Sequence, residues 1–415
     1  MPDGYEPESA LDRTHVLLYA AASIGAGVFY AFNNFVLPPV LKAFGAPDLV
    51  IGLLASTRSL EGALIQPVVG AVSDRTWTRL GRRRPFMLLG IPLSAAFLLA
   101  SSFATNLAAF ALAIFCFSVF FNIAVDPYTA LLADITPLRQ RGWLSGVATG
   151  VQMLSSVAFL IVVAVATVGN QVPAWTPAAV SGALVAGFAV TLVGVPEARQ
   201  AASSSERTSL HGYLDAVREQ GQAVRYLGTL FIYQFGLNAI VPYLVLYVVD
   251  VIHQTTQTAF ALSAGLLVAT AAGAVVFGRL ADRIGARPVL ATGWLLLALS
   301  ALAGTVITTL TETLAVVVLA GLGNGAATAV AWPLLTALIP DEKTGLFAGL
   351  KAAADSIAIP LSIVVAAQVF LPMLGYRGIF AMLAASIVVA LVLLLRFVHV
   401  PAAAEPLPLA ELPAV

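Results

Sequence analysis

Apolar runs of about 20 residues alternate with short polar stretches along almost the whole chain. Runs of this length suit helices that cross roughly 30 Å of hydrocarbon, because a helix satisfies its backbone hydrogen bonds internally. The pattern therefore predicts an all-α membrane protein with twelve transmembrane helices. The predicted spans are Val16 to Val40, Leu49 to Val72, Phe86 to Ala104, Ala108 to Leu132, Leu144 to Val168, Ala178 to Val195, Tyr226 to Val249, Ala259 to Phe277, Val289 to Thr308, Leu314 to Leu338, Leu346 to Leu371 and Ile379 to Phe397.

Two charged loops repeat one pattern, in which Gly, three residues and Asp-Arg are followed by a further Gly and Arg. The leading glycines are Gly70 and Gly278, and their offset (278 − 70 = 208) is about half of the 415 residues. A second set repeats with an offset of 203 (340 − 137), namely Pro137, Gly142 and Gly146 with Pro340, Gly345 and Gly349. We predict two pseudo-symmetric six-helix halves, with bundles at residues 1–196 and 226–415 and a cytoplasmic linker at 197–225.

Composition agrees with a membrane setting, since 60% of the residues are hydrophobic and only 10% are charged, against about 25% in soluble proteins. A net charge of zero indicates no nucleic-acid partner. The single Cys116 and four scattered histidines predict no metal site and no cofactor. The sequence also lacks a nucleophile, base and oxyanion set, so we expect no enzyme. We expect a monomer in the lipid bilayer.

The cations favour one side of the predicted membrane. The loops on the other side hold only Lys42 and Arg377. By the positive-inside rule, both termini are predicted to be cytoplasmic, and the excess of arginine over lysine favours a bacterial inner membrane. The cations of the richer side are Arg75, Arg79, Arg82, Arg83, Arg84, Arg139, Arg141, Arg199, Arg207, Arg218, Arg225, Arg279, Arg283, Arg287 and Lys343.

The segment from Gln66 to Phe86 carries Q-P-V-V-G, S-D-R and R-L-G-R-R-R-P-F, and A-L-L-A-D ends at Asp134. With its two Gly-x-x-x-Asp-Arg loops, the chain resembles the major facilitator superfamily. The longer segments resemble sucrose/proton symporters, and the spacing of Pro67, Gly70, Gly81 and Pro85 also resembles melibiose-type sugar/cation symporters. This resemblance implies the major facilitator fold, with alternating access at a site between the halves. It also implies that loop charges latch the cytoplasmic face, and the candidates for this gating role are Asp74, Arg75, Arg82, Arg83, Asp282 and Arg283.

Charged residues inside predicted spans are candidates for function, because an ion is costly in a bilayer. Arg58 and Glu61 are three residues apart, so they share a helix face near mid-membrane. Asp126 lies in the fourth span, and Lys351 and Asp355 share a face of the eleventh. Structural salt bridges are the alternative reading of the two pairs.

Proton coupling needs a carboxyl group that poor hydration makes easier to protonate and a nearby cation makes easier to ionise. Glu61 beside Arg58 fits best, followed by Asp126 and then by Asp355 beside Lys351. Sodium could take the place of the proton. The sequence departs from the plant sucrose carriers at their fourth-helix acid, where this chain has Ser118.

A sugar pocket needs polar groups for the hydroxyls and an aromatic or apolar wall for the C–H face. Each polar side chain in a span could instead join two helices. The predicted substrate-binding residues are Tyr30, Asn33, Asn34, Arg58, Asn122, Gln152, Gln234, Asn238, Asn324, Trp332 and Lys351. Gly321, Gly323 and Gly325 are interpreted as close helix packing, because a phosphate loop would need a following lysine.

Together these features predict a secondary transporter that moves a neutral sugar, a disaccharide such as sucrose or a glycoside, in symport with protons. A proton-coupled exporter of drug-like or amphiphilic compounds is the alternative within transport. A non-transporting membrane sensor is disfavoured, because the intramembrane charges would then lack a purpose.

Overall fold

A computed structural model describes residues 13–56, 65, 68–70, 72–73, 76, 78–136, 138–195, 218–340 and 343–399. Within these residues the chain is helical apart from short connections and two isolated β-bridges. Eleven of the described helices are long and apolar enough to cross a membrane. The predicted second span begins as a helix at Asp48–Leu54, and most of its remaining residues lie outside the described ones.

The bounds of the helices follow in chain order. They are α1 (Arg13–Ala31), α2 (Leu37–Ala43), α3 (Asp48–Leu54), α4 (Arg84–Ser101), α5 (Leu107–Ile135), α6 (Leu138–Ala166), α7 (Thr176–Gly194), α8 (Gly221–Ile240), α9 (Leu244–Asp250), α10 (Thr256–Ile284), α11 (Ala286–Gly304), α12 (Leu310–Thr336), α13 (Thr344–Val365), α14 (Leu371–Leu374) and α15 (Tyr376–Phe397). A π-helical turn, Phe32–Val36, joins α1 to α2, and another, Ala366–Phe370, joins α13 to α14. A 3-10 turn, Val241–Tyr243, joins α8 to α9.

The helices follow the predicted spans with two notable differences at their ends. Helix α10 continues past the predicted end at Phe277 to Ile284, so the second charged motif is largely helical. It stops at Gly285, whose φ of 90° favours glycine. Helix α8 begins at Gly221, inside the segment predicted as linker.

The two halves share one packing scheme, which confirms the predicted duplication. Helix α1 packs on α6 and α7, as α8 packs on α13 and α15, and α4 packs on α5 and α7, as α11 packs on α12 and α15. A tyrosine bond also repeats. The hydroxyl of Tyr19 donates to the carbonyl of Tyr128 at 3.2 Å, and that of Tyr226 donates to the carbonyl of Ala331 at 2.9 Å.

Left-handed backbone positions repeat along the chain as well. Gly45 has a φ of 78° and His253, 208 residues later (253 − 45), has a φ of 55°. Positive φ angles also repeat at Gly81 and Gly285, 204 residues apart (285 − 81), and at Gly169 and Gly375, 206 residues apart (375 − 169). The duplication therefore extends to the conformation of the loops.

Small residues allow α10, α11 and α12 to approach closely. A Cβ on Gly273 of α10 would lie 2.7 Å from the carbonyl oxygen of Leu322, and a Cβ on Gly323 would lie 2.6 Å from that of Gly293. Added methyl groups on Gly321 and Gly325 would likewise overlap α10. The interpretation of these glycines as packing positions is confirmed.

The two ends of the bundle differ in how the halves meet. At one end of the bundle, hydrogen bonds connect the two halves, and this end is called the joined face. The joined face is formed by residues 42–48, 101–107, 166–176, 250–256, 304–310 and 374–376. The opposite end is called the linker face, and its described residues are 78–84, 135–136, 138, 194–195, 218–221, 284–286, 336–340, 343–344 and 397–399. Among the described gating candidates, Arg82 and Arg83 belong to the linker face, and Asp282 and Arg283 lie next to it at the end of α10.

Candidate functional site

A polar cavity of about 430 Å³ lies where α1 and α6 of the N-terminal half meet α10 of the C-terminal half. Tyr30, Asn34 and Gln152 line it, as the sequence predicted. The hydroxyl of Ser156 donates to the carbonyl of Gly27 at 2.7 Å, which fixes α6 against α1 beside the cavity. The other lining residues are Ala31, Phe35, Thr149, Met153 and Leu267.

The π-helical turn of the first span carries two consecutive asparagines, and the second of them lines this cavity. A π turn inserts an extra residue into a helix and is frequent at functional sites. Asn34 is half-buried and lines the cavity. Asn33 is only 2% exposed, and its side-chain nitrogen has no hydrogen-bond partner among the described residues. Asn33 therefore points into the protein, whereas Asn34 faces the cavity.

A second cavity, of about 220 Å³, adjoins the first and extends into the C-terminal half. The two cavities share a wall formed by Asn34, Phe35 and Leu267. The second cavity is mostly apolar, and Asn324 and Thr270 are among its few polar side chains. A polar chamber next to an apolar one can accept a ligand that has both kinds of surface.

Asn324 is held in place by aromatic residues behind the apolar cavity. The hydroxyl of Tyr233 donates to the side-chain oxygen of Asn324 at 3.2 Å. The ring of Tyr233 stacks on that of Trp294, with 5.2 Å between their centroids. Both aromatic side chains are buried, so they fix the orientation of Asn324.

The predicted intramembrane charges occupy different environments. Lys351 and Asp355 form an ion pair at 2.7 Å on one face of α13, and Asp355 is only 2% exposed. Asp126 is half-buried in α5. Asn122, one turn before it, is buried and donates to the carbonyl of Ser118 at 2.9 Å. Arg58 and Glu61 lie outside the described residues.

Six predicted substrate-binding residues line neither of these two cavities, namely Asn33, Asn122, Gln234, Asn238, Trp332 and Lys351. The side chain of Asn238 donates to the carbonyl of Gln234 at 2.9 Å, and Leu237 between them lines the apolar cavity. Trp332 is 38% exposed and lines neither cavity. The sequence predicted that some of these polar side chains face a cavity and left open that others join two helices, and packing between helices sets which of them line these two cavities.

Three arginines of the first charged loop, Arg82, Arg83 and Arg84, make described contacts within their own half. Arg82 and Arg83 form ion pairs with Asp134 at 2.9 and 3.0 Å, and Arg83 also donates to Ser73. Arg84 donates to the carbonyl of Val195, at the end of α7.

The second charged loop repeats the contact of Arg84, because Arg287 donates to the carbonyl of Leu395 at 2.8 Å, near the end of α15. Asp282 and Arg283 are exposed at the end of α10. Asp74 and Arg75 lie outside the described residues, so the gating role of the loops stays a prediction.

A sequence profile of the family described as MFS/sugar transport protein matches residues 18–404. The chain belongs to this family. Membership in the MFS/sugar transport protein family agrees with the fold, the eleven described spans and the cavities between the halves. The chain is accordingly a multi-pass membrane protein with the architecture of transporters.

Curated relatives match this family member over short regions. It is 27% identical over 151 residues to sucrose transport protein SUC4 of Arabidopsis thaliana, which covers 32% of this chain and 30% of the relative. It is 32% identical over 108 residues to the membrane-associated transporter protein of Homo sapiens, a match that covers 26% of this chain and 20% of the relative. It is 43% identical over 60 residues to proton-associated sugar transporter A of Homo sapiens (14% and 8%). The matches thus cover less than a third of each relative.

Solved structures share the fold of this family member. The crystal structure of a D-xylose-proton symporter superposes with a TM-score of 0.70 at 15% identity, over 92% of this chain and 97% of that one. An inward-facing, occupied bacterial homolog of the human lysosomal transporter Spinster superposes with a TM-score of 0.68 at 14% identity, over 92% and 95%. At such identities the likeness concerns the fold alone.

Sequence reasoning missed two groups of residues. Tyr233 and Trp294 support Asn324, but buried aromatic residues in an apolar run carry no signal that separates them from ordinary core. The residues that join the halves at the joined face were also missed. The repeat could have indicated this pair, because Lys42 and Asp250 are 208 residues apart, which is also the offset between Gly70 and Gly278.

Proposed function

We propose that this chain carries a neutral sugar, either a disaccharide or a glycoside, across the membrane by alternating access in symport with protons. The observation that supports the proposal is the pair of adjoining cavities between the halves, one polar and one apolar, which share the wall at Asn34. The names of two relatives, a sucrose transport protein and a proton-associated sugar transporter, point in the same direction.

The chemistry of the two cavities suits a sugar. Amides can donate to and accept from hydroxyl groups, and Asn34, Gln152 and Asn324 supply three. The ring of Tyr30 can cover a C–H face of the sugar. The apolar cavity can take a second ring or the aglycone of a glycoside.

Three carboxyl groups are candidates for the coupling site. Glu61 with Arg58 remains the first candidate, followed by Asp126 and by Asp355 with Lys351. The ion pair of Asp355 and Lys351 is intact in this structure. We further propose that the linker face and both termini are cytoplasmic, in the inner membrane of a bacterium.

Proteoliposomes provide the test. A panel of mono- and disaccharides is added at two pH values, and the pH of the external medium is recorded in sodium-free buffer. We expect at least one sugar to raise the external pH, because protons enter with the sugar. A response that requires sodium would assign sodium as the coupling ion. Drug-driven proton movement without any response to sugars would support the exporter instead and contradict the proposal.

Glu61→Gln distinguishes coupling from transport in the same vesicles. We expect this variant to lose uphill accumulation while it retains exchange of sugar at equal concentrations, because exchange needs no net proton movement. Asp126→Asn, which neutralises the second candidate, is measured for accumulation and exchange in the same way. Unchanged accumulation in Glu61→Gln would remove Glu61 from the coupling role and leave the sugar proposal intact.

A further inference from the structure

An ion pair at the joined face connects equivalent positions of the two halves. Lys42 lies at the end of the first span and Asp250 at the end of the seventh, and their side chains form a salt bridge. They are 208 residues apart, the same offset as between Gly70 and Gly278. The side chains are 41% and 33% exposed, so the pair lies at the surface of the joined face. A contact between equivalent positions must lie close to the pseudo-twofold axis that relates the halves.

A second contact of the joined face involves the first residue of α3. The hydroxyl of Tyr376 donates to a carboxylate oxygen of Asp48 at 3.1 Å, so α15 of the C-terminal half holds the start of α3 in the N-terminal half. The hydroxyl of Tyr243 donates to the carbonyl of Asp48 at 2.8 Å. Asp48 therefore receives two bonds from the other half.

A third contact is the pseudo-symmetric counterpart of the second. Thr256 is the first residue of α10, 208 residues after Asp48 (256 − 48). Its backbone N–H donates to the side-chain oxygen of Asn170 at 2.9 Å, and its hydroxyl donates to the same oxygen at 3.1 Å. Asn170 and Tyr376 are equivalent too, since each directly follows a glycine with positive φ, Gly169 and Gly375. Equivalent contacts thus form twice between the halves. Asn170 of the N-terminal half contacts the start of α10, and Tyr376 of the C-terminal half contacts the start of α3.

We infer that these three contacts form a gate at the joined face that is built on the internal twofold pseudosymmetry, with Lys42 and Asp250 at its centre. Each contact crosses from one half to the other, so none survives when the halves rock apart at this end. Because the two outer contacts flank the central pair, the halves cannot pivot on one side while the other stays joined. The gate is independent of which solute the cavities take.

The gate is stronger on one side of its axis. Lys42 also donates to the hydroxyl of Tyr376 at 3.3 Å and lies 5.2 Å from the centre of its ring. The central pair and the Asp48 contact therefore share Tyr376, whereas no described bond links the central pair to Asn170. Charge reversal at the centre consequently weakens two of the three contacts together.

Spin labels at equivalent positions of the joined face test the gate. Phe103 and Val306 are 203 residues apart (306 − 103) and 83% and 71% exposed, and neither is one of the gate residues. The labels are attached to Phe103→Cys and Val306→Cys in a Cys116→Ala background, and their distance distribution is measured by double electron–electron resonance in nanodiscs. Short distances report the joined state and long distances report the separated state.

We expect Lys42→Asp and Asp250→Lys each to lower the ratio of joined to separated molecules at least about fivefold, the lower end of common coupling strengths. Like charges would then face each other at the centre. The double variant Lys42→Asp/Asp250→Lys is expected to restore the short distance. Lys343→Asp is the matched control, because it reverses one charge of the ion pair between Lys343 and Glu219 on the linker face. This variant should leave the distribution of distances between the labels unchanged.

Folding of each variant is checked by gel filtration. If a charge-reversal variant does not fold, Tyr376→Phe is used in its place for the distance measurement. This variant removes one hydroxyl and keeps the ring, so we expect a smaller shift in the same direction. The gate is contradicted if the single reversals or Tyr376→Phe leave the distances unchanged, or if the double variant stays separated.

Discussion

Asn34 illustrates how much one residue depends on its local backbone. It follows Asn33 in a π-helical turn, yet Asn33 is buried while Asn34 reaches both cavities. In a regular helix, consecutive residues are rotated by about 100°, and the extra residue of a π turn shifts this phase locally. Among the described residues, Asn34 is therefore the polar side chain that lines both cavities.

Substitution of Asn34 should weaken sugar binding. We expect Asn34→Ala to raise the dissociation constant about tenfold, the loss of roughly one neutral hydrogen bond. Gln234→Ala is the matched control, because Gln234 is also a half-buried amide in a span but lines neither cavity. Binding of the best sugar from the panel, followed by calorimetry, gives both constants. Equal losses of sugar affinity in the two variants would contradict a specific role of Asn34 in sugar binding.

The sequence identified the residue types of the site better than their directions. Tyr30, Asn34, Gln152 and Asn324 were predicted and reach the cavities. Gln234 and Asn238 share a helix face, as their spacing predicted, but neither of them lines the polar or the apolar cavity. The reason is physical, since spacing fixes which residues share a face of a helix, whereas packing against neighbouring helices fixes where that face points.

At the scale of helices, apolar length predicted the spans and missed some of their ends. Helix α10 passes beyond Phe277 because the polar residues after it can continue a helix in water as well as form a loop. Its close contact with α12 depends on glycine. Gly273 lies against Leu322, whereas Gly265 on another part of α10 has only Val317 at 4.0 Å from its virtual Cβ.

Two glycine substitutions in α10 should therefore have different effects on stability. A methyl group at Gly273 would meet the backbone of α12, so we expect Gly273→Ala to cost about 1–3 kcal/mol, as overpacking typically does. Gly265→Ala has space for its methyl group and should leave the unfolding temperature unchanged or slightly higher. Thermal unfolding of the purified protein in detergent compares the two. A similar loss in both variants would argue against close packing at Gly273.

At the scale of the whole molecule, the sequence predicted the duplication but not how the copies meet. The repeat offset was visible in Gly70 and Gly278, whereas contacts between the halves depend on the relative position of two bundles that no local pattern encodes. The charged loops gave a further prediction, which is that the linker face lies in the cytoplasm.

Cysteine labelling tests this orientation. In a Cys116→Ala background, Phe103→Cys places a thiol at the joined face and Ile284→Cys places one at the linker face, and both positions are exposed. We expect a membrane-impermeant maleimide to label Phe103→Cys in intact cells and Ile284→Cys only after lysis. The opposite pattern would invert the proposed topology.

The pairing of Lys42 with Asp250 has a consequence for the history of the chain. Two identical copies of one repeat would bring the same side chain to both places, and a lysine or an aspartate would then repel its twin. Attraction at this point became possible only when the copies no longer shared a sequence. A dimer made from two N-terminal halves would confront lysine with lysine, so each half of the present molecule depends on the other for closure at this end.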